Sequence, residues 1–144
     1  MATDAPRFND EQSALIARFL RALAERAPLD ELRAFFHPEV EQIELPNPFG
    51  PQVQHRDLAG ILAAAEEGRK LLGKESYEVA HLHVAGDVAV VELRWQGVTA
   101  VDMGQLGKGT TLTAHICQVL ELEDGKIRRM RNYDCYERPR PPGN

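Results

Sequence analysis

From Ser76 onward the sequence alternates with a period of two, and this one change of rhythm decides what the chain can fold into. Tyr77 to Ala85 and Val88 to Trp95 are strand-length runs joined by Gly86-Asp87, and Thr110 to Glu121 is joined to a last run, Ile127 to Tyr136, by Asp124-Gly125. Both dipeptides signal hairpins, because a two-residue turn needs positive φ, which Gly supplies without steric cost. Strands linked mostly by hairpins make a mainly antiparallel sheet. In the first hairpin Leu82 is expected opposite Val91, Ala80 opposite Leu93 and His81 opposite Glu92. Gly97, Gly104, Gly107 and Gly109 predict a bend or bulged connection between the two pairs. They do not make a phosphate loop, since Gly107-Lys108 is followed by Gly109 where Ser or Thr is needed.

The first half of the chain has helical spacing instead. Asn9 and Gln12 form a capping-box pattern, and Leu15, Ile16, Phe19, Leu20 and Leu23 recur at three- and four-residue intervals before Pro28. A second short helix, Asp30 to Phe36, ends at His37-Pro38. Glu39 to Leu45 alternates as a strand, Pro46 to Pro51 is a rigid loop, and Asp57 caps a third helix that runs to Gly73. Helix, helix, strand, helix and then hairpins is an α+β order, with three helices on one side of a curved sheet. A chain of 144 residues with 43% apolar content is expected to form one domain. That domain is expected to span residues 9–137, with flexible tails at 1–8 and 138–144.

Several function classes are disfavoured. A net charge of −5 does not suit a phosphate backbone, so no nucleic-acid partner is expected. Two cysteines, Cys117 and Cys135, give neither a disulfide framework nor a four-ligand zinc site, and no metal or other cofactor is expected. No stretch approaches the ~18 apolar residues that mark a bilayer span, and no secretory leader is evident. A cytoplasmic protein without a membrane partner is the expectation.

Two segments carry a family resemblance: Val40-Glu41-Gln42-Ile43-Glu44-Leu45-Pro46-Asn47 after two helices, and Asp124-Gly125-Lys126-Ile127 leading to Arg131-Asn132-Tyr133-Asp134. With the order of elements, they resemble the nuclear transport factor 2-like superfamily and, within it, the SnoaL-like polyketide cyclase group. The resemblance implies a cone in which a curved sheet wraps around the helices and encloses a pocket for a small apolar molecule. It also implies a homodimer through the outer sheet face. Members include ketosteroid isomerases, epoxide hydrolases, cyclases, dehydratases and proteins without catalysis, so fold alone does not give the reaction. Epoxide hydrolases of the superfamily carry a catalytic Asp in an Arg-Asp-Tyr pattern on the last strand. Here Asn132 stands at that position, and Asp134 is the nearest carboxylate on the same face.

Counting pairs outward from the Asp124-Gly125 turn sets His115 opposite Asp134, Cys117 opposite Asn132 and Val119 opposite Met130. On that register His115 and Asp134 form a catalytic acid/base pair or a structural ion pair, and Asn132 donates to a developing oxyanion. Glu44 is a second catalytic candidate, because burial would raise a carboxyl pKa. Asn47 either binds ligand or caps its own loop, while Trp95, Met130 and Cys117 supply apolar wall. Arg129, Arg131 and Tyr133 fall on the other face. Two functions stay open: a cofactor-independent isomerase, cyclase, dehydratase or hydrolase acting on an apolar oxygenated substrate, and a non-catalytic ligand-binding or dimeric interaction module.

Overall fold

The structure is a computed structural model that describes residues 11–143. Its elements are α1 (Glu11–Ala24), α2 (Leu29–Arg33), β1 (Phe36–Glu44), β2 (Gln54–Arg56), α3 (Leu58–Leu71), β3 (Leu72–Ala85), β4 (Val88–Thr99), β5 (Thr111–Glu123) and β6 (Lys126–Tyr136). The expected cap at Asn9 lies outside the described residues. The stripe on α1 buries Leu15, Ile16, Phe19 and Leu20, and Phe19 meets Phe36 edge-on with ring centroids 5.4 Å apart. Asp57 caps α3 as expected, its Oδ1 accepting the backbone N–H of Gly60 at 2.9 Å. The second helix is shorter than its pattern suggests: Phe36 already belongs to β1.

One six-stranded sheet, in the order β2-β1-β6-β5-β4-β3, curves around the helices without closing. All neighbours are antiparallel except β1 and β6, which run parallel. That pair skips from Phe36–Ile127 to Glu41–Arg129, and Pro38, which has no N–H to give a ladder, sits in the skipped stretch. The strand β2 has no period-two signal, because its three residues Gln54, His55 and Arg56 are all polar. Beyond β6 the backbone of Arg140 exchanges hydrogen bonds of 2.9 and 3.0 Å with Thr111.

Both hairpin turns form, with φ of 53° at Asp124, 72° at Gly125 and 61° at Gly86. Each hairpin then departs from the simple count through a bulge. In the first, Leu82–Val91 and His81–Glu92 pair as expected, but Ala80 is skipped and Val79 takes the place opposite Leu93. In the second, Glu123–Lys126 and Leu122–Ile127 keep the expected register, Arg128 is the extra residue, and Glu121 pairs with Arg129. A strand has a side-chain period of two, so one inserted residue turns every later position against its expected partner. Asp134 therefore lies opposite Ile116, Asn132 opposite Gln118 and Met130 opposite Leu120, while His115 lies opposite Cys135 and Cys117 opposite Tyr133.

Candidate functional site

The inner face of the sheet and the helices α1, α2 and α3 line a pocket of about 330 Å³ that opens to solvent. Its apolar wall includes Phe19, Phe36, Ile61, Trp95 and Met130. The last strand supplies part of the polar wall, because Asn132, Asp134 and Tyr136 share one side of β6 with Met130 beyond the bulge, and all four line the cavity. From β5 the cavity receives Ile116 and Gln118 rather than His115 and Cys117.

Asp134 is a strongly perturbed carboxyl there. Its carboxyl is pushed up to about 6, first by burial and second by the negative charge of Glu44. Its Oδ1 is buried without a hydrogen-bond partner, as are Oδ1 of Asn132 and Oε1 of Gln118. Buried polar atoms are nearly always paired, and each exception calls for a reason such as a bound group. Tyr136 also lines the cavity, and burial, followed by the charges of Asp134, Glu44 and Glu75, raises its phenol, so it stays protonated as a donor.

Glu44 reaches the cavity as expected, though not as a lone carboxylate. Its Oε2 lies 2.6 Å from Arg56 Nη1, and its Oε1 accepts from Asn47 Nδ2 at 3.0 Å. The same arginine nitrogen donates to Gln42 Oε1 at 3.1 Å. Asn47 is a loop residue first, since its Oδ1 also accepts the backbone N–H of Phe49 at 2.8 Å, and it is not part of the cavity wall.

The expected pairing of His115 with Asp134 is overturned by the bulge at Arg128. His115 points to the outer face, is 58% exposed in its side chain, and meets Glu137 at 2.7 Å. Cys117, expected on the wall, lies outside with it, along a groove shared with Tyr133 and Cys135. Arg129, Arg131 and Tyr133 do occupy the outer face. Gln118, Tyr136, Tyr77, Glu75 and Arg56 join the cavity wall without having been expected there. For Tyr136 the sequence holds a signal, as it continues the parity of Asn132 and Asp134.

Among the described residues, one group of His37, Glu123 and Asp124 holds three ligand-type atoms within 4.8 Å of one another. His37 Nδ1 accepts the backbone N–H of Glu39 at 3.0 Å. That leaves Nε2, 3.1 Å from Glu123, as the protonated nitrogen, which donates to the carboxylate and has no lone pair for a cation. No helix among the described residues is long and apolar enough to cross a membrane.

The model of the SnoaL-like domain matches residues 16–130. The chain belongs to the SnoaL-like family. No curated protein matches this SnoaL-like chain, but solved structures share its fold. IdmH from Streptomyces antibioticus, a candidate polyketide cyclase, superposes with a TM-score of 0.74 at 17% identity, covering 87% of this chain and 92% of that one. A SnoaL-like protein from Jannaschia sp. CCS1 gives 0.72 at 18% identity over 92% and 91% of the two chains. An LEH-like epoxide hydrolase from M. tuberculosis gives 0.69 at 14% identity over 87% and 83%. At these identities the likeness establishes the fold of the SnoaL-like chain.

Proposed function

We propose that the cavity binds a small, largely apolar oxygenated molecule and that the protein acts on it by cofactor-independent acid/base chemistry, as an isomerase, cyclase, dehydratase or hydrolase. The observation that carries this reading is Asp134, a carboxyl on the cavity wall whose buried oxygen has no partner and whose pKa is raised to about 6. A carboxyl tuned toward neutrality ionises at pH 7, yet is basic enough to take a proton from carbon or water and to return it. Removing a proton next to a carbonyl places negative charge on the carbonyl oxygen. The Tyr136 hydroxyl and the side-chain amides of Asn132 and Gln118, all on the same wall, are the donors for that charge. The apolar part of the wall lowers the local dielectric and so strengthens each of these bonds.

A second reading, ligand binding without catalysis, is favoured by Asn132, an amide at the position where the resemblance expects a catalytic Asp, and by Glu44, which is engaged by Arg56. Proton abstraction separates the two without knowledge of the natural substrate. Cyclic ketones and 1,3-diketones incubated with the protein in D2O should take up deuterium next to the carbonyl, as followed by mass spectrometry. Asp134→Asn should lower that rate by roughly 10²- to 10⁴-fold. Wild-type exchange no faster than that of the variant would leave only the binding reading.

A further inference from the structure

Arg56 is the only basic side chain among the described residues that line the cavity, and the acid/base reading gives it no task. It stands on β2, at the edge of the sheet, directly across the ladder from Gln42. Its Nη1 lies 2.6 Å from Glu44 Oε2 and donates to Gln42 Oε1 at 3.1 Å. Asn47 holds the other oxygen of Glu44 at 3.0 Å. The side chains of Arg56 and Glu44 are only 24% and 25% exposed, so salt screens this pair less than one on the open surface. Gly60, in the first turn of α3, leaves the stem of Arg56 its route. A Cβ at position 60 would come within 3.2 Å of the Arg56 Cβ and 3.5 Å of its Cγ.

Glu44 in turn acts on Asp134. It pairs with Asn132 in the ladder of β1 and β6, and Asp134 follows two residues along the same side of β6, on the same cavity wall. After burial, the negative charge of Glu44 is what opposes ionisation of Asp134. The other titratable groups on the wall are Glu75 and Tyr77 from β3 and Tyr136 from β6, while α1, α2 and α3 present only apolar side chains. Glu75 has a cation of its own, Arg26, at 3.7 Å. A cation fixed on one carboxylate weakens that carboxylate's repulsion of a second. On this wall Arg56 does so for Glu44.

We propose that Arg56 is a positioning residue: by holding and neutralising Glu44 it keeps Asp134 ionisable at neutral pH, where Asp134 serves as the base. This deepens the acid/base reading and rests on it for its effect on activity, but the electrostatic link itself is readable without a substrate. With Arg56 removed, Glu44 is still held by Asn47 and faces Asp134 as an uncompensated charge. Asp134 then keeps its proton to higher pH.

A 13C NMR titration of the Asp134 carboxyl in the full chain reads the link, and deuterium exchange into cyclic ketones across the same pH range reads its consequence. The wild-type midpoint should fall at about pH 6. Arg56→Gln should raise it by at least about half a pH unit, roughly a threefold change in the ratio of protonated to ionised carboxyl. Arg56→Lys, which restores the charge, should reverse most of that shift, and Glu44→Gln should lower the midpoint. Added to Glu44→Gln, the Arg56→Gln change should shift the midpoint less than it does alone, because Arg56 acts through Glu44. In exchange, Arg56→Gln should lose rate at pH 7 and regain it at pH 9, a recovery that a merely disordered site would not show. A midpoint that Arg56→Gln leaves in place or lowers overturns the proposal, as does an equal shift with and without Glu44. Midpoints that move as expected in a protein without exchange overturn the acid/base reading and leave the link standing; exchange with unmoved midpoints does the reverse. Should Arg56→Gln fold poorly, Arg56→Met, which keeps the apolar stem beside Gly60, carries the same expectation.

Discussion

On the outer face of the β5–β6 hairpin Arg131 lies 2.6 Å from Glu121, Arg129 reaches Glu121 at 3.9 Å and Glu41 at 3.7 Å, and His115 meets Glu137 at 2.7 Å. On the inner face of the same two strands, Gln118, Asn132 and Asp134 each hold a buried oxygen that nothing bonds. Water could have served the outer groups, yet they are paired; the inner groups have lost water, yet they are not. Exposed ion pairs contribute at most about 1 kcal/mol each, whereas a buried polar group without a partner costs about 1–3 kcal/mol. The stability of the hairpin therefore does not explain its inner face. A bound molecule or ordered water that donates hydrogen bonds to those oxygens would.

The contrast can be broken most severely at the bulge. Inserting one residue between Arg129 and Met130 should turn Met130 out of the core and bring Arg131 inward, with a loss of at least about 2–5 kcal/mol, the range for removing a buried Met or Leu, read by denaturant unfolding. Unchanged stability would mean that the two faces are interchangeable. A smaller effect comes from Asp134 itself. Because its folded pKa is raised from 3.8 to about 6, ionisation is penalised only in the folded state. The penalty is absent where Asp is protonated both folded and unfolded, grows as pH rises from about 4 to about 6, and is complete above that. Asp134→Asn should accordingly stabilise the protein at pH 8 by on the order of 1–2 kcal/mol, after allowing for partial solvent screening, and leave it unchanged near pH 3. Thermal unfolding at the two pH values checks the sign. The smallest effects belong outside: Arg131→Ala should cost within about 1 kcal/mol, and His115→Ala should leave deuterium exchange at the wild-type rate. A loss of exchange in His115→Ala would show that the outer face takes part in the chemistry.

Much of this contrast is legible in the amino-acid order. The hairpin turns, the α+β order and the inner parity of Met130, Asn132 and Asp134 all follow from period-two alternation and turn chemistry. The pairing partner of Asp134 does not follow, because a count from the turn assumes an unbroken ladder, and Arg128 looks like any other strand residue. A glycine there would have given warning. The same miscount sends Gln118 outward and brings His115 in. Arg56 escapes notice with its strand, since three consecutive polar residues have no alternation to detect. Glu75 lies on β3 and accepts the indole N–H of Trp95 on β4, a contact that spacing along the chain does not encode.

The parallel pairing of β1 with β6 has a consequence for how the molecule comes into being. Glu44 acquires Asn132 as its neighbour in the ladder only after every other strand exists, since β6 is the last to leave the ribosome. Until then β1 can pair with β2 alone. Contacts between distant segments carry the loop-closure entropy of all the chain between them and form late. The helices and the hairpin of β3 and β4 can assemble from local contacts, but the polar wall of the cavity is completed by the last strand of the sheet to be synthesised. A nascent chain arrested within β6 would thus hold most of its apolar core and none of the chemistry assigned to Asp134.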